Sequence, residues 1–218
     1  MMAAVEPEPV PVRISKRMLD VVVASLLLIL LSPVFVLALL VLALDKLFVR
    51  ADRGSWLYRE RRISRGRTFD LLKFRVLRES ALDELRGTKG AYARTYERDE
   101  ANLTKAGRVL KRMYFDELPQ LVNVLRGDMS LVGPRPWPVA MVEKQVAQGY
   151  VYRNHVLAGW TGPAQVSKDS PKRSQATEFD LEYVEACRTM GAGRLLRYDL
   201  KLLAESVATM LRGRGLKY

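Results

Sequence analysis

The stretch from Lys111 to Pro136 contains the side chains that are best suited to chemistry. Asp116 and Glu117 are adjacent carboxylates, and the cations Lys111 and Arg112 come shortly before them. Carboxylate oxygens are the ligands that Mg²⁺ prefers in proteins, and nearby cations suit a substrate that carries phosphate. The sequence therefore predicts a magnesium site with Asp116 and Glu117 as its metal-binding residues.

A structural explanation of the same residues stays open at this point. Asp116 is a good N-cap residue, Pro119 suits the first turn of a helix, and Gly127 suits the position just after its end. The two interpretations are compatible, because the N-terminus of a helix attracts phosphate through its free amide groups.

The run Gly133-Pro134-Arg135-Pro136 predicts a stiff turn beyond this helix. Such a turn holds one guanidinium outward, and a guanidinium can form two parallel hydrogen bonds to a phosphate. Arg135 is therefore a predicted phosphate ligand.

Composition excludes most histidine and cysteine chemistry. The chain has one histidine, His155, and one cysteine, Cys187. An intramolecular disulfide and a zinc site of the CxxC type each need at least two cysteines. Any reaction must therefore depend on carboxylates, lysine, arginine, hydroxyl groups or a bound metal.

The element that comes before these residues is strongly apolar. From Val21 to Leu44 the chain carries no charge, and Asp20 and Asp45 flank this run. At ~1.5 Å per residue, one helix of that length reaches roughly 36 Å, which is enough to cross the hydrocarbon core of a bilayer. The sequence predicts that this segment enters a membrane.

Ser32 and Pro33 lie in the middle of the run and allow two arrangements. Because proline removes a backbone hydrogen bond, the run is either a kinked spanning helix or a helix pair that returns to its own face. Cations precede and follow the run: Arg13, Lys16, Arg17, Lys46, Arg50 and Arg53. The positive-inside rule would place both flanks in the cytoplasm, which favours a re-entrant hairpin broken at Ser32 and Pro33.

Two short segments that contain aromatic residues follow the membrane run. Residues 55–58 and 68–75 are predicted strands, and Arg65-Gly66-Arg67 is the predicted turn of a β-hairpin. The region is also rich in cations, which bind either anionic lipid headgroups or the phosphates of a substrate.

The remaining chain predicts one mobile segment and two helices. Residues 79–101 are highly charged, with Gly87 and Gly90, and are predicted to be a mobile surface segment. Apolar residues recur at helical spacing from Leu103 to Tyr114 and from Leu195 to Leu211, with cations among them. Both are predicted amphipathic helices that either pack on the core or lie in the membrane interface.

The overall charge favours anionic partners. The chain has 36 Lys and Arg against 24 Asp and Glu, a net charge of +12, and 49% of its residues are hydrophobic. The apolar content excludes a disordered chain. The charge suits phosphates, anionic lipid or nucleic acid, but the sequence has no recognisable nucleic-acid-binding motif.

Together these motifs resemble the bacterial sugar transferase family, the small monotopic polyprenyl-phosphate phosphoglycosyl transferases. The resemblance covers roughly Ser15 to Val207, and its most specific part is the block DELPQLVNVLRGDMSLVGPRP from Asp116 to Pro136. Further matching positions lie along the chain: Lys16, Arg17, Asp20, Lys73, Phe74, Arg75, Thr161, Gly162, Gln165, Asp180, Tyr183, Asp199 and Lys201.

The resemblance implies transfer of a sugar-1-phosphate from a UDP-sugar to polyprenyl phosphate, with release of UMP. It implies that Asp116 is the nucleophile, that a covalent aspartyl-phosphosugar intermediate forms, and that Mg²⁺ is the cofactor. An aspartate is expected to be ionised at pH 7, so it needs no histidine as a base. Membrane lipids are a further expected partner, nucleic acid is not, and homodimerisation is left open.

The resemblance also implies roles for other residues. Glu117 is expected to position the metal or the substrate. The expected phosphate-binding residues are Lys73, Arg75, Lys111, Arg112 and Arg135. The residues expected near the nucleotide sugar are Pro134, Pro136, Thr161, Gln165, Asp180 and Tyr183.

We therefore predict a mostly helical α+β protein that is monotopic in the bacterial inner membrane, with its active site on the cytoplasmic face. Residues 1–14 are a predicted disordered tail, 15–50 the re-entrant membrane anchor, and 51–218 the catalytic domain with a small β-hairpin and interfacial amphipathic helices. A membrane-anchored scaffold without chemistry is the alternative. It would tolerate Asp116→Asn, because asparagine caps a helix about as well as aspartate.

Overall fold

A computed structural model of the chain describes residues 9–88, 90–167 and 176–211. The described helices, in chain order, are α1 (Ile14–Leu30), α2 (Ser32–Phe48), α3 (Glu79–Gly87), α4 (Ala93–Tyr96), α5 (Lys105–Arg112), α6 (Gln120–Arg126), α7 (Val139–Ala147), α8 (Pro163–Val166), α9 (Ala176–Thr189) and α10 (Ala192–Leu211). The described strands are β1 (Leu57–Ser64), β2 (Arg67–Phe74), β3 (Ser130–Val132) and β4 (Gly159–Thr161). The predicted class, a mostly helical α+β protein, is confirmed.

The chain divides into two compact units. The first contains the described residues up to Ala24, Arg61–Phe69 and the described residues from Asn123 onward. The second contains Ser25–Glu60 and Asp70–Val122. The predicted division at residues 14 and 50 stays a prediction. Most of the predicted tail, residues 1–8, lies outside the described residues.

The helix break lies where the sequence predicts it. α1 ends at Leu30, α2 begins at Ser32, and the two helices bend by 59°. The Ser32 hydroxyl donates a hydrogen bond to the carbonyl of Ile29 (2.8 Å), which satisfies an acceptor at the end of α1. Pro33 lies in the first turn of α2, where its missing amide removes no helical hydrogen bond.

The bent pair is unusual in its apolar surface. Large hydrophobic side chains are exposed along both helices, among them Val22, Leu26, Ile29, Leu30, Val36, Leu37, Leu40 and Leu47. Within the described ranges, no single helix has the length and hydropathy of a membrane span, but α1 and α2 meet that requirement as a bent pair.

The predicted β-hairpin is confirmed. β1 and β2 form a two-stranded sheet, and Arg65 and Gly66 between them adopt left-handed backbone angles (φ 48° and 72°). Two positive φ values at the tip are typical of a tight hairpin turn, because such a turn has the same twist as the right-handed strands that it joins. β1 runs to Ser64 and is therefore longer than predicted.

The core of the second unit includes residues that the sequence assigned to a mobile segment. Ala81, Leu82 and Leu85 of α3 and Ala93 of α4 are buried in this core. The prediction of a mobile surface segment over residues 79–101 is therefore wrong. The charged residues occupy one face of α3, and the few apolar residues recur at helical spacing and pack on the other.

The first unit contains two short paired strands, of which β3 is fully buried. β3 pairs with β4 in parallel, with Ser130 opposite Gly159. α1 and α10 meet near β3 through a buried ion pair, in which Lys16 Nζ lies 2.8 Å from Asp199 Oδ2. Lys16 also donates to the hydroxyl of Tyr183 in α9 (2.9 Å). The two helices predicted from Leu103 to Tyr114 and from Leu195 to Leu211 are present, as α5 and α10.

Candidate functional site

The second unit brings β2 and α5 together through a glycine. Thr104 caps α5 by accepting a hydrogen bond from the Gly107 amide (2.8 Å), and its own amide donates to the carbonyl of Val76 (2.9 Å). A Cβ atom at Gly107 would clash with that carbonyl oxygen. Only glycine therefore allows α5 to pack this closely against Val76, in the chain that leaves β2 after Phe74.

The chain then turns sharply into the carboxylate pair. Tyr114 adopts a left-handed conformation (φ 58°, ψ 18°), which is uncommon for a residue with a side chain. Phe115–Glu117 form a 3₁₀ turn that ends before α6 begins at Gln120. Asp116 therefore does not cap α6, and the N-cap interpretation of this residue is wrong.

The turn places both carboxylates beside a lysine. Lys73 Nζ lies 3.3 Å from Glu117 Oε1 and 3.9 Å from Asp116 Oδ2. Asp116 is 3% exposed and Lys73 is 8% exposed. Lys73, which the sequence predicts to bind phosphate, thus lies beside Asp116 and Glu117, and the three side chains form the centre of the candidate site.

A second lysine and a third carboxylate complete this group. Lys111, in the last turn of α5, donates to the backbone carbonyl of Glu97 and lies 3.4 Å from its carboxylate. Glu97 is 8% exposed. We call Lys73, Glu97, Lys111, Asp116 and Glu117 the carboxylate cluster. Sequence reasoning did not single out Glu97, because it lies in the segment that was predicted to be mobile.

Burial changes the acidity of Asp116. It raises the pKa of the Asp116 carboxyl to about 7, mainly by desolvation and in part by the charges of Glu117 and Glu97. Lys73 and Lys111 act in the opposite direction. The expectation that Asp116 is ionised at pH 7 is therefore only partly met, because a carboxyl with a pKa of about 7 is about half neutral at that pH.

The carboxylate cluster suits a metal only in part. Among the described residues, no group of three or more His, Cys, Asp or Glu side chains could hold a metal ion. Mg²⁺ usually takes one or two protein carboxylates and fills its other positions with water and substrate phosphates. Asp116 and Glu117 fit that smaller requirement.

The other two predicted phosphate ligands of the second unit differ in accessibility. Arg112 is exposed at the end of α5. Arg75 is 2% exposed, and its guanidinium donates to the carbonyls of Asp52, Ser55 and Leu77. Burial lowers the pKa of Arg75. The contacts of Arg75 stabilise the chain on either side of the hairpin, and its phosphate role stays a prediction.

In the first unit, the predicted residues occupy a loop and a helix start. Arg135 is half-buried in the loop after β3, between the buried residues Pro134 and Pro136. The Thr161 hydroxyl is 2.6 Å from that of Ser206 in α10. Gln165 lies in α8, and its amide group is buried.

Asp180 and Tyr183, on α9, lie inside the first unit. Tyr183 is 0% exposed, and its hydroxyl donates to Asp199 (2.8 Å). Asp180 is 2% exposed and accepts a hydrogen bond from Arg153 (3.1 Å). Both side chains are engaged in hydrogen bonds inside the unit, and their expected place near the nucleotide sugar stays a prediction. Arg153 was not predicted from the sequence, since nothing in its neighbourhood forms a motif.

Comparison with known proteins agrees with the motif analysis. The chain is 38% identical to the exopolysaccharide production protein ExoY of Sinorhizobium fredii, over 93% of this chain and 88% of the relative. It is 35% identical to the UDP-glucose:undecaprenyl-phosphate glucose-1-phosphate transferase of Escherichia coli, over 79% of this chain but only 36% of that longer protein. The Caulobacter vibrioides protein of the same name is 34% identical, over 93% of this chain and 72% of its own length.

The family profile described as "Bacterial sugar transferase" matches residues 12–213, which is nearly the whole chain. This match covers nearly all of both compact units and every residue of the carboxylate cluster. The chain therefore belongs to the bacterial sugar transferase family.

Proposed function

We propose that this protein transfers a sugar-1-phosphate from a UDP-sugar to a polyprenyl phosphate at a membrane surface and releases UMP. The observation that carries the proposal is the buried carboxylate of Asp116, with Lys73 Nζ 3.9 Å away and Glu117 next to it. The names of the relatives support the same reaction class, since two of them are glucose-1-phosphate transferases that act on undecaprenyl phosphate.

Asp116 is the proposed nucleophile. One oxygen of its ionised carboxylate attacks the phosphorus that carries the sugar, and the bond from this phosphorus to the bridging oxygen of the diphosphate breaks. UMP leaves with that electron pair, and the sugar phosphate stays on Asp116 as an acyl phosphate.

The second half of the reaction regenerates the carboxylate. An oxygen of the polyprenyl phosphate attacks the same phosphorus, and the bond between this phosphorus and Asp116 breaks. The products are a polyprenyl diphosphate sugar and free Asp116. Two displacements at one phosphorus divide a difficult transfer between two bulky phosphates into two simpler steps.

In this proposal Lys73 increases the fraction of Asp116 that is ionised. Its ammonium group lowers the pKa of Asp116, against the larger effect of burial. It also lies within 3.3 Å of Glu117, so one cation neutralises part of the charge of both carboxylates. Without it, the ionised fraction of the nucleophile would fall further at neutral pH.

Mg²⁺ is the proposed cofactor, held by Asp116 and Glu117 together with the diphosphate of the substrate. When bound, the ion neutralises phosphate charge and polarises the bond to the leaving group. Lys111 would hold a further phosphate oxygen through a charge-assisted hydrogen bond.

The bent pair of α1 and α2 is the proposed membrane anchor. Its exposed apolar side chains would lie in the hydrocarbon region of the cytoplasmic leaflet, and the 59° bend at Ser32 would allow both ends to stay on one side. The carboxylate cluster would then work at the interface, where the phosphate of a polyprenyl lipid is accessible. The place of this reaction would be the first membrane step of polysaccharide or glycoconjugate synthesis.

Trapping of the covalent intermediate tests the proposed function. Full-length protein in lipid nanodiscs is mixed with UDP-sugars that carry a labelled sugar phosphate, without polyprenyl phosphate. We expect stoichiometric label on Asp116, located by mass spectrometry of peptides, and one UMP released per protein. Asp116→Asn should carry no label, and Asp83→Asn, which changes an exposed carboxylate in α3, should be labelled as fully as the wild type.

A wild-type protein that releases UMP only in the presence of lipid, without any labelled peptide, would contradict the covalent step. Full turnover by Asp116→Asn would contradict the choice of nucleophile. A protein that turns over no UDP-sugar in a broad panel would contradict the reaction itself.

Cysteine labelling tests the membrane arrangement. In a Cys187→Ser background, Ile14→Cys places one thiol at an exposed position at the start of α1, and Ser55→Cys places one at an exposed position beyond the end of α2. A membrane-impermeant maleimide should label both variants in inverted vesicles and neither in intact spheroplasts. Labelling of the two thiols from opposite sides would mean that the pair spans the membrane.

A further inference from the structure

Residues 133–137 form a loop that contains the predicted phosphate ligand Arg135. The beginning of this loop is held in place by backbone contacts within the first unit. The Gly159 amide donates to the carbonyl of Pro134 (2.9 Å). A Cβ atom on Gly133 or on Gly159 would clash with the backbone that faces it. The two glycines therefore bring the beginning of the loop into direct backbone contact with β4.

The end of the loop is fixed from β1. The Ile63 amide donates to the carbonyl of Trp137 (3.2 Å), and the Arg62 guanidinium donates to the carbonyl of Pro136 (3.1 Å). Both ends of the loop are thus fastened through backbone carbonyls.

Arg153 fastens the centre of the loop. Its Nη1 donates to the backbone carbonyl of Arg135 itself. Its guanidinium carbon also lies 4.1 Å from the ring centre of Trp137, which is a favourable distance for a cation–π contact. One buried cation therefore contacts two residues of the loop.

Three further side chains orient Arg153. Its Nε donates to Gln145 (2.9 Å), and its Nη2 donates to the hydroxyl of Tyr152 (2.9 Å) and to Asp180 (3.1 Å). We call Trp137, Gln145, Tyr152, Arg153 and Asp180 the arginine cluster. Because the guanidinium is planar and each edge has a partner, it has little freedom to rotate.

The position of the Arg135 carbonyl constrains the backbone from which the Arg135 side chain leaves the loop. Proline fixes φ at Pro134 and Pro136, and Pro136 also restricts the backbone angles of Arg135, the residue before it. The main backbone freedom left to Arg135 is the orientation of the peptide group that contains its carbonyl. We infer that Arg153 is a positioning residue that presents Arg135 to a phosphate of the UDP-sugar. This inference rests on the proposed function, and it gives Asp180 an indirect role through Arg153.

The test compares Arg153→Lys with a matched change elsewhere in the same unit. Arg153→Lys keeps the charge but cannot reproduce the guanidinium fork. Arg13→Lys is the control, because Arg13 also donates to a backbone carbonyl, that of Met190 (2.6 Å), which lies at the end of α9. Full-length variants in nanodiscs are assayed for UMP release over a range of UDP-sugar concentrations.

We expect Arg153→Lys to raise KM for the UDP-sugar about tenfold, with kcat changed less than about threefold, because binding and not the reaction step loses a preorganised contact. Arg13→Lys should leave KM unchanged. In an Arg135→Lys background, Arg153→Lys should raise KM no further, because the residue through which it acts is already altered. Additive effects of the two substitutions, or an unchanged KM in folded Arg153→Lys, would overturn the inference.

Hydrogen exchange separates this inference from the proposed function. The amides of Ile63, Gly133 and Gly159, which donate hydrogen bonds at the two ends of the loop, should exchange at least about tenfold faster in Arg153→Lys than in the wild type, and at the wild-type rate in Arg13→Lys. Unchanged exchange at these amides would overturn the positioning role even if the wild type is an active transferase. Faster exchange in a protein without any transferase activity would support the loop contact and overturn the proposed function alone.

Discussion

The carboxylate cluster of the second unit and the arginine cluster of the first unit are both buried, but their charges are satisfied in different ways. In the arginine cluster, Arg153 makes hydrogen bonds of 2.9 to 3.1 Å to three side chains. In the carboxylate cluster, Lys73 approaches Asp116 only to 3.9 Å, and burial raises the pKa of Asp116 to about 7.

This difference in hydrogen bonding indicates that the arginine cluster fixes a geometry, whereas the carboxylate cluster contains a group that can react. A buried guanidinium whose three nitrogen atoms all have hydrogen-bond partners, as in Arg153, stabilises one arrangement, and removal of a partner leaves a costly unpaired group. A buried carboxylate with a distant counter-ion is less stable in its charged form than it would be in water. Such a group gains by binding a phosphorus or a metal, so instability of the free carboxylate fits the proposed role of Asp116.

The largest expected effect comes from Asp116→Asn. We expect kcat to fall by at least about 10³-fold, because the nucleophile is lost. The free energy of unfolding should rise by about 2 kcal/mol at pH 8, because the variant no longer buries an ionised carboxylate. UMP release and chemical denaturation of the same samples measure the two effects.

The stability gain of Asp116→Asn depends on pH in a defined direction. The folded-state pKa of Asp116 is raised from 3.8 to about 7, so the wild type loses stability as pH rises between these values. The gain should therefore be near zero at pH 4 and full above pH 7. Asp83→Asn, at an exposed position, should show no such trend. A loss of stability at pH 8 would contradict the contrast between the two clusters.

The second effect concerns Lys73→Met. Its ammonium group lowers the pKa of Asp116, so its removal should move the acid limb of the pH profile of kcat/KM from about 7 to higher pH. At pH 7 we expect activity to fall roughly 30-fold, which combines the smaller ionised fraction with the loss of a phosphate-binding cation. Lys105→Met, which changes an exposed lysine at the start of α5, should keep the wild-type profile. A uniform decrease at every pH would restrict Lys73 to substrate binding.

Sequence patterns predicted the elements that depend on a few neighbouring residues. The break at Ser32 and Pro33, the turn at Arg65 and Gly66, and helix α5 all follow from the backbone preferences or periodicity of a short stretch. Residues 79–101 were predicted wrongly because their many charges concealed the apolar face of α3.

The residues of the candidate site that belong to a sequence motif could be predicted. Those that come together only through the tertiary structure could not. Asp116, Glu117 and Lys73 belong to recognisable blocks. Arg153 reaches Arg135 and Asp180 from 18 and 27 positions away, so no local pattern could indicate its role. The raised pKa of Asp116 is also a property of burial, which a local sequence pattern does not show, and it leaves the carboxyl only partly ionised at pH 7.

A change in the arginine cluster should have the opposite effect on stability to Asp116→Asn. Tyr152→Phe removes a hydroxyl that accepts a hydrogen bond from Arg153 (2.9 Å) and donates one to Asp180 (3.4 Å). We expect the free energy of unfolding to fall by about 1–2 kcal/mol, because a buried donor of Arg153 loses a partner. Tyr150→Phe, at an exposed position, should change it by less than about 0.5 kcal/mol. Equal stability of Tyr152→Phe and the wild type would mean that the cluster is not held by its hydrogen bonds.

Glu97→Gln should change activity less than the other substitutions. The direction of the change shows whether Glu97 affects the acidity of Asp116. The negative charge of Glu97 raises the pKa of Asp116, so its removal should move the acid limb of kcat/KM to lower pH, the reverse of Lys73→Met. At pH 6 we expect about a threefold increase in activity over the wild type, and at pH 8 almost none, because Asp116 is ionised there in both proteins. Lys111 keeps its hydrogen bond to the backbone carbonyl of residue 97, which the substitution does not remove.

The control for this change is Glu100→Gln, an exposed neighbour that should leave the profile unaltered. If Glu97→Gln instead lowers activity at every pH, the carboxylate of Glu97 is needed to hold Lys111 in place for the phosphate. That result would move Glu97 and Lys111 out of the reactive group and into the same class as the arginine cluster, where charged partners fix a geometry and do not adjust the acidity of a nucleophile.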